Sequence, residues 1–371
     1  MNFHTIATLA FVIPNVYLFL RIGQLFINKG YRLQYTLIYL FIVALYPFLS
    51  FILTGKSGFV FDILSWIYSY YLPFYLYMFL SVLLFDILLL VNRLAKIVPR
   101  EKMKSTRFKV SCLLAFSLIS AGVVFAGAIN FNTIRTTEYR IEVPKKSSDI
   151  DHLKIAFASD FHLKQQSDIH FVERFVVNIA AIQPDLMIFG GDIVEGRGEG
   201  DKMDRIAQML SEIHAKYGVY AVLGNHESYG VQAKGHFFDK AGMQSLCDSI
   251  AVIGHSFNLA GRYDDRYRER KATVDLLKSI NGSLPVILID HRPTDIEENS
   301  KTVADVQFSG HTHNGQLFLL NLILASMYRL SWGYEKIGHT HFFVSSGIML
   351  WGPPVRTIGK SEIMVVDIDF K

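Results

Sequence analysis

Five places in this sequence bring together residue types that hold divalent cations. They are Asp160 with His162, Asp192 after Gly191, the run Gly224-Asn225-His226-Glu227, His291 between Asp290 and Arg292, and His311 with His313 after Gly310. Carboxylates and imidazoles without a thiolate suit Mn, Fe, Zn or similar ions rather than soft-metal chemistry. Asp160 and His162 lie two apart, so in an extended segment their side chains share a face, and His311 and His313 repeat that spacing. Two such pairs, a lone Asp and a lone His surround room for two divalent metal ions. Two ions about 3.5–4 Å apart lower the pKa of a shared water and clamp the attacking and leaving oxygens of a displacement.

Each group follows a short apolar run. Residues 155–159, 186–189, 220–223, 286–289 and 306–309 read as buried strands. Phe171, Val172, Phe175, Val176, Ile179 and Ile182 recur at helical spacing between the first two runs. Met203, Ile206, Met209, Leu210 and Ile213 do the same between the second and third. Strand–helix–strand alternation predicts an α/β domain with parallel strands, in which functional groups gather at the carboxyl ends of the strands.

In this order, Asp-x-His, Gly-Asp, Gly-Asn-His-Glu, His and Gly-His-x-His resemble the calcineurin-like metallophosphoesterase superfamily, with wording closest to its membrane-associated bacterial branch. Residues 309–316 (SGHTHNGQ) look like that branch's SGHTHGGQ, with Asn314 in place of the usual glycine. Residues 352–356 (GPPVR), followed by Glu362 and Ile363, resemble its C-terminal signature. The resemblance covers about residue 140 onward. It implies a four-layer α/β/β/α sandwich and hydrolysis of a phosphomonoester, phosphodiester or pyrophosphate bond. It also implies roles: Asp160, His162 and His313 on one metal, Asn225, His291 and His311 on the second, and Asp192 bridging both. A metal-bridging hydroxide would attack phosphorus, while His226 would stand by the leaving group with Glu227 orienting it. The Asn314 departure falls after the ligands and bears on loop shape and specificity.

Composition points to a second kind of region. Of 371 residues 51% are apolar and only 19% charged, against about a quarter charged in a soluble domain. Residues 6–20 (extended by Phe3 and Phe26), 35–53, 71–91 and 110–129 read as four bilayer crossings. Residues 59–70 read as an interfacial piece, since Trp66, Tyr68, Tyr70 and Tyr71 suit an aromatic belt. No Lys or Arg precedes Arg21, so a cleaved signal peptide fits poorly. The layout is thus a membrane region at 1–130, a linker and first strand at 131–152, and the phosphoesterase domain at 153–371. Arg93, Lys96, Arg100, Lys102, Lys104, Arg107 and Lys109 face one Glu101, which puts that loop in the cytoplasm and the domain outside. The net charge of +4 lies largely beside the apolar segments, so no nucleic-acid partner is expected.

Four crossings exceed what a soluble substrate needs, which favours a lipid or lipid-linked phosphate ester. The resembled family includes enzymes cleaving UDP-diacylglucosamine, a cytoplasmic substrate that an outward-facing domain would not meet. A catalytically silent metal-binding scaffold would lack ligands, and none is missing here. A membrane receptor or transporter module finds no obvious internal repeat. Asp86 is costly in lipid and raises a question of its own. Arg262, Asp264 and Asp265 read as a solvated loop, and Arg292 and Arg356 have the chemistry to meet a phosphate. His152, His170, His214, His236, His255, His339 and His341 read as surface or structural. Cys112 and Cys247 form no CxxC pair, so neither a disulfide framework nor a structural zinc site is suggested.

Overall fold

The computed structural model describes residues 3–53, 56, 58–196, 198–229, 234–280 and 282–371, the side chains of 3–10, 229, 234 and 235 excepted. The chain forms two compact units, Met1–Ala128 with Gly352–Val355, and Ile129–Trp351 with Arg356–Lys371.

The first unit is helical: α1 (Phe3–Leu25), α2 (Arg32–Ile52), α3 (Phe59–Ala95), the short α4 (Arg100–Lys104) and most of α5 (Thr106–Asn132). Among the described residues, Lys29–Ile52, Phe59–Ala95 and Thr106–Asn132 are long and apolar enough to cross a bilayer, and Phe11–Leu25 is a shorter apolar helix. The side chains of Phe3 and Ile6 lie outside the described residues. No break separates residues 59–70 from 71–91. The two pieces form one 37-residue helix, about 55 Å long at 1.5 Å per residue. The apolar run there has no glycine to interrupt it, and Pro73 is accommodated inside as proline is in membrane helices. Asp86 is not alone. Tyr17 Oη and Arg21 Nε each donate to it at 2.6 Å, and the Arg21 guanidinium pairs with both its oxygens. The costly carboxylate is thereby neutralised and ties α1 to α3.

The second unit holds β1 (Ile134–Val143), β2 (His152–Ala158), α6 (Ile169–Ile182), β3 (Leu186–Phe189), α7 (Asp201–Leu210), β4 (Val219–Ala221), α8 (Lys234–Lys240), β5 (Gln244–Ser245), β6 (Ser249–Ile253), β7 (Phe257–Gly261), α9 (Thr273–Leu277), β8 (Val286–Ile289), α10 (Ile296–Asn299), β9 (Val306–Ser309), α11 (Leu320–Met327), β10 (Gly333–Ile337), β11 (Thr340–Val344) and β12 (Ser361–Phe370). Among the described residues two six-stranded sheets result, in the orders β1-β12-β2-β3-β4-β5 and β10-β11-β9-β8-β7-β6. β2, β3 and β4 are parallel, as are β7, β8 and β9, while β12 runs antiparallel to β2 and parallel to β1.

Alternation along each strand sorts side chains between layers. Ile155 and Phe157 of β2 point between the sheets, where Phe157 stacks on Phe308 with ring centroids 5.1 Å apart. Ala156 and Ala158 point the other way, into a cluster with Phe171 and Phe175 of α6 and Ile206 and Leu210 of α7. Leu288 of β8 faces Leu276 and Leu277 of α9 on the far side of the second sheet. The order is α/β/β/α. Asp168 caps α6 by accepting from the His170 amide, and Gln183 closes it in the left-handed conformation.

Candidate metal centre

The first sheet brings Asp160 and His162 (after β2), Asp192 (after β3) and Asn225, His226 and Glu227 (after β4). The second brings His291 (after β8) and His311 and His313 (after β9). Asp160, His162 and His313 place one donor atom each within 4.8 Å of one another, and so do Asp192, His291 and His311. Asp192 Oδ2 lies between the groups, 3.2 Å from His291 Nε2 and 3.9 Å from His162 Nε2. Asn225 is buried beside them, with no hydrogen-bond partner for its Oδ1 among the described residues.

The backbone here departs from the extended segment expected for Asp-x-His. Asp160 (φ 60°), His162 (47°), Asp192 (51°), His311 (73°) and His313 (51°) all adopt the left-handed conformation. Such residues are costly and persist where the surroundings fix them. After β2, β3 and β9 the side chains converge because the chain turns through left-handed residues, not because alternate residues share a face. Asn314, where the resembled motif carries glycine, is also left-handed (φ 47°), a conformation Asn tolerates better than most residues. Glycines make the approach possible: a Cβ at Gly224 would stand 2.2 Å from Asp192 Oδ1, and one at Gly310 2.5 Å from Asp160 Oδ2.

Proton placement tests whether these groups fit metal ions. His291 Nδ1 is 2.7 Å from the Gly190 carbonyl, which only accepts, so Nδ1 carries the hydrogen. Its Nε2 then turns a lone pair toward the Asp192 carboxylate, an arrangement that calls for a cation between them. Without one the imidazole must protonate. Burial opposes its charge, but Asp192 outweighs burial and pushes His291 up to about 10. His162 repeats the pattern, with Nδ1 2.7 Å from Glu195 and Nε2 3.2 Å from His313 Nε2. Burial and the nearby positive His291 and Arg292 hold His311 down at about 3, so its ring offers a bare nitrogen. This donor set fits a pair of divalent ions.

The sequence reading missed Glu195. Its carboxylate lies 2.7 Å from His162 Nδ1 and 2.8 Å from His226 Nδ1. Burial alone would raise its pKa, but the two histidines hold it down at about 2. The signal lay three residues past Asp192, outside every motif considered. Glu227 does something else. Fully buried, it accepts from the amides of Asp192, Ile193, Val194 and Gly224 at 2.6–3.0 Å, fixing the loop after β3 against the loop after β4.

Two further expectations change. Arg262 and Asp264 are buried, not solvated: Arg262 bridges Asp290 (2.7 Å) and Asp295 (2.8 Å), and Asp264 holds Arg292. Arg270 joins the same network beside His291. Arg356 is fully buried, donating to the carbonyls of Ser346, Gly347 and Met349, so it cannot meet a phosphate. His341 lies within β11 and contacts Tyr334 Oη at 2.9 Å, while His152 and His170 face nearby carboxylates at the surface.

The calcineurin-like phosphoesterase family model matches residues 153–315. An uncharacterized metallophosphoesterase of Aquifex aeolicus is 32% identical over 249 residues, 64% of this chain and 93% of the relative. The chain belongs to the calcineurin-like metallophosphoesterase family. A second uncharacterized metallophosphoesterase, from Campylobacter jejuni, is 26% identical over 100% of this chain and 98% of its own. A UDP-2,3-diacylglucosamine pyrophosphatase of Chlamydia trachomatis is 25% identical over 53% of this chain and 74% of the relative. This metallophosphoesterase is thus a metal-dependent phosphoric ester hydrolase, and its other unit carries helices able to cross a membrane.

Proposed function

We propose that this chain is a multi-pass membrane enzyme that hydrolyses a phosphate or pyrophosphate ester of a lipid or lipid-linked substrate, with its catalytic unit outside the cytoplasm. The observation that carries the two-metal reading is the pair of donor groups meeting at Asp192. Asp160, His162 and His313 would hold one ion, Asn225, His291 and His311 the other, and Asp192 both. Mn, Fe or Zn in these positions would supply an acidified water and neutralise charge on the phosphate. His226 faces the same basin, its Nε2 3.9 Å from Asp192 Oδ2 and its Nδ1 held by Glu195. It would pass a proton to the departing oxygen, with Glu195 keeping its ring turned that way. The long apolar helices and the diacylglucosamine pyrophosphatase relative support a lipid-linked substrate. The basic loop 93–109 supports the outward catalytic unit.

The test is hydrolysis of bis-p-nitrophenyl phosphate and p-nitrophenyl phosphate by full-length protein in detergent, beside Asp192→Asn. Activity restored by Mn²⁺ after chelation and lost in the variant is expected. Equal turnover by the variant would overturn the bridging role of Asp192.

A further inference from the structure

The loop carrying His311 and His313 leads directly into an apolar helix that the fold leaves uncovered. From residue 314 to 328 there is no charged side chain, and α11 has no buried residue. Phe318, Leu320, Leu322, Ile323 and Met327 stand exposed, Met327 at 67%. A soluble surface rarely gathers so many large apolar groups without a partner.

This is no loose excursion. At its start the Phe318 amide donates to Thr357 Oγ1 (2.8 Å), and Gln316 O accepts from the amides of Thr357 and Ile358 (2.9 and 3.1 Å). At its end the Tyr328 ring lies 6.3 Å from that of His311, and Thr312 Oγ1 donates to Ser331 O (2.6 Å). The segment is therefore tied at its start to residues 357–358 and at its end to the ligand loop. Arg329, the first charge beyond, is engaged by Glu297 and Glu335. A second exposed aromatic, Trp351, has its ring 6.0 Å from that of His226. Trp is the side chain that settles at a membrane–water interface.

We infer that α11, with Trp351, enters the lipid interface and holds the mouth of the metal centre against a bilayer. The occupant is lipid because, among the described residues, the same chain carries three helices long and apolar enough to cross a membrane, and α5 runs within two residues of β1. Apolar side chains that stand in water on such a helix are stabilised by entering the headgroup–acyl boundary, in proportion to the apolar area buried. The inference deepens the lipid-substrate reading: the ester would be met at the bilayer surface instead of being drawn from water.

The experiment uses full-length protein with Cys112→Ser and Cys247→Ser, a single Ile323→Cys labelled with an environment-sensitive fluorophore, and reconstitution into phosphatidylethanolamine–phosphatidylglycerol vesicles. Val177→Cys on α6, also exposed, is the control. Far-ultraviolet circular dichroism verifies that each labelled protein is folded. Spin-labelled lipid is expected to quench the probe at 323 at least threefold more than the probe at 177. Equal quenching at the two positions would overturn the inference. So would a probe at 323 shielded in proportion to protein concentration but insensitive to labelled lipid, which would assign the face to a second copy. Neither readout depends on which ester is cleaved, so a failed lipid-substrate screen and a failed insertion remain separate results.

Discussion

Replacing Glu195 by Gln should lower kcat with bis-p-nitrophenyl phosphate by roughly 10–100-fold, the usual cost of losing a group that orients a metal-binding or catalytic histidine. Metal content measured by plasma emission should stay near that of the parent, because Glu195 itself touches only the far nitrogens of His162 and His226. Glu227→Gln should behave differently. Four backbone amides converge on that carboxylate, and an amide oxygen cannot serve them all. Each buried N–H left without an acceptor costs about 1–3 kcal/mol, so the loop bearing Asp192 should shift and both metals should be lost. Equal metal content in the two variants would contradict this division of labour. The sequence named Glu227 for its neighbour His226, but adjacency in the chain says nothing about which way a side chain turns at a reversal. Glu195 reaches both histidines only because the strand before it is parallel to β2 and β4, a tertiary fact that no local motif contains.

At the scale of elements, the Arg–Asp network behind His291 is a structural demand. Arg262→Ala would leave Asp290, which is wholly buried, with Arg270 as its remaining partner. Removing one member of such a buried set costs about 3–5 kcal/mol, and chemical denaturation of the variant should show a loss of that order. Much of this domain was legible beforehand. Five strands were placed within three residues of their observed ends, and α6 and α7 bury the faces read from their spacing, such as Phe171, Phe175, Met203 and Ile206. Apolar runs and helical periodicity are local properties, so they survive folding. The buried Arg262 and Asp264 were not legible, because a charged residue that is paired looks the same in sequence as one in water. The single helix across residues 59–95 was missed for a related reason: aromatic content suggests a membrane surface, but helix continuity depends on whether Pro73 is accommodated within the run, and here it is.

At the scale of the whole molecule, metal ions should stabilise one unit and not the other, since every candidate ligand lies in Ile129–Trp351. Saturation at a hundredfold above Kd adds about 2.7 kcal/mol, so chelation should lower the melting temperature of the α/β unit while the helical signal of the apolar unit holds. With Cys112 and Cys247 replaced by Ser, Lys102→Cys in the basic loop should react with an impermeant maleimide only when the cytoplasmic face is opened; labelling of intact cells would reverse the proposed orientation. One feature of the second unit also governs how it is made. β12 occupies the place between β1 and β2, with ten residue pairs along β1 and six along β2. Synthesis must therefore proceed from residue 158 to residue 361 before that place can be filled. At about 5–20 residues per second, roughly 200 residues take about 10–40 s. For that interval the nascent chain presents two adjacent unpaired strand edges, open to pairing with other chains, just beyond a helix able to cross a membrane.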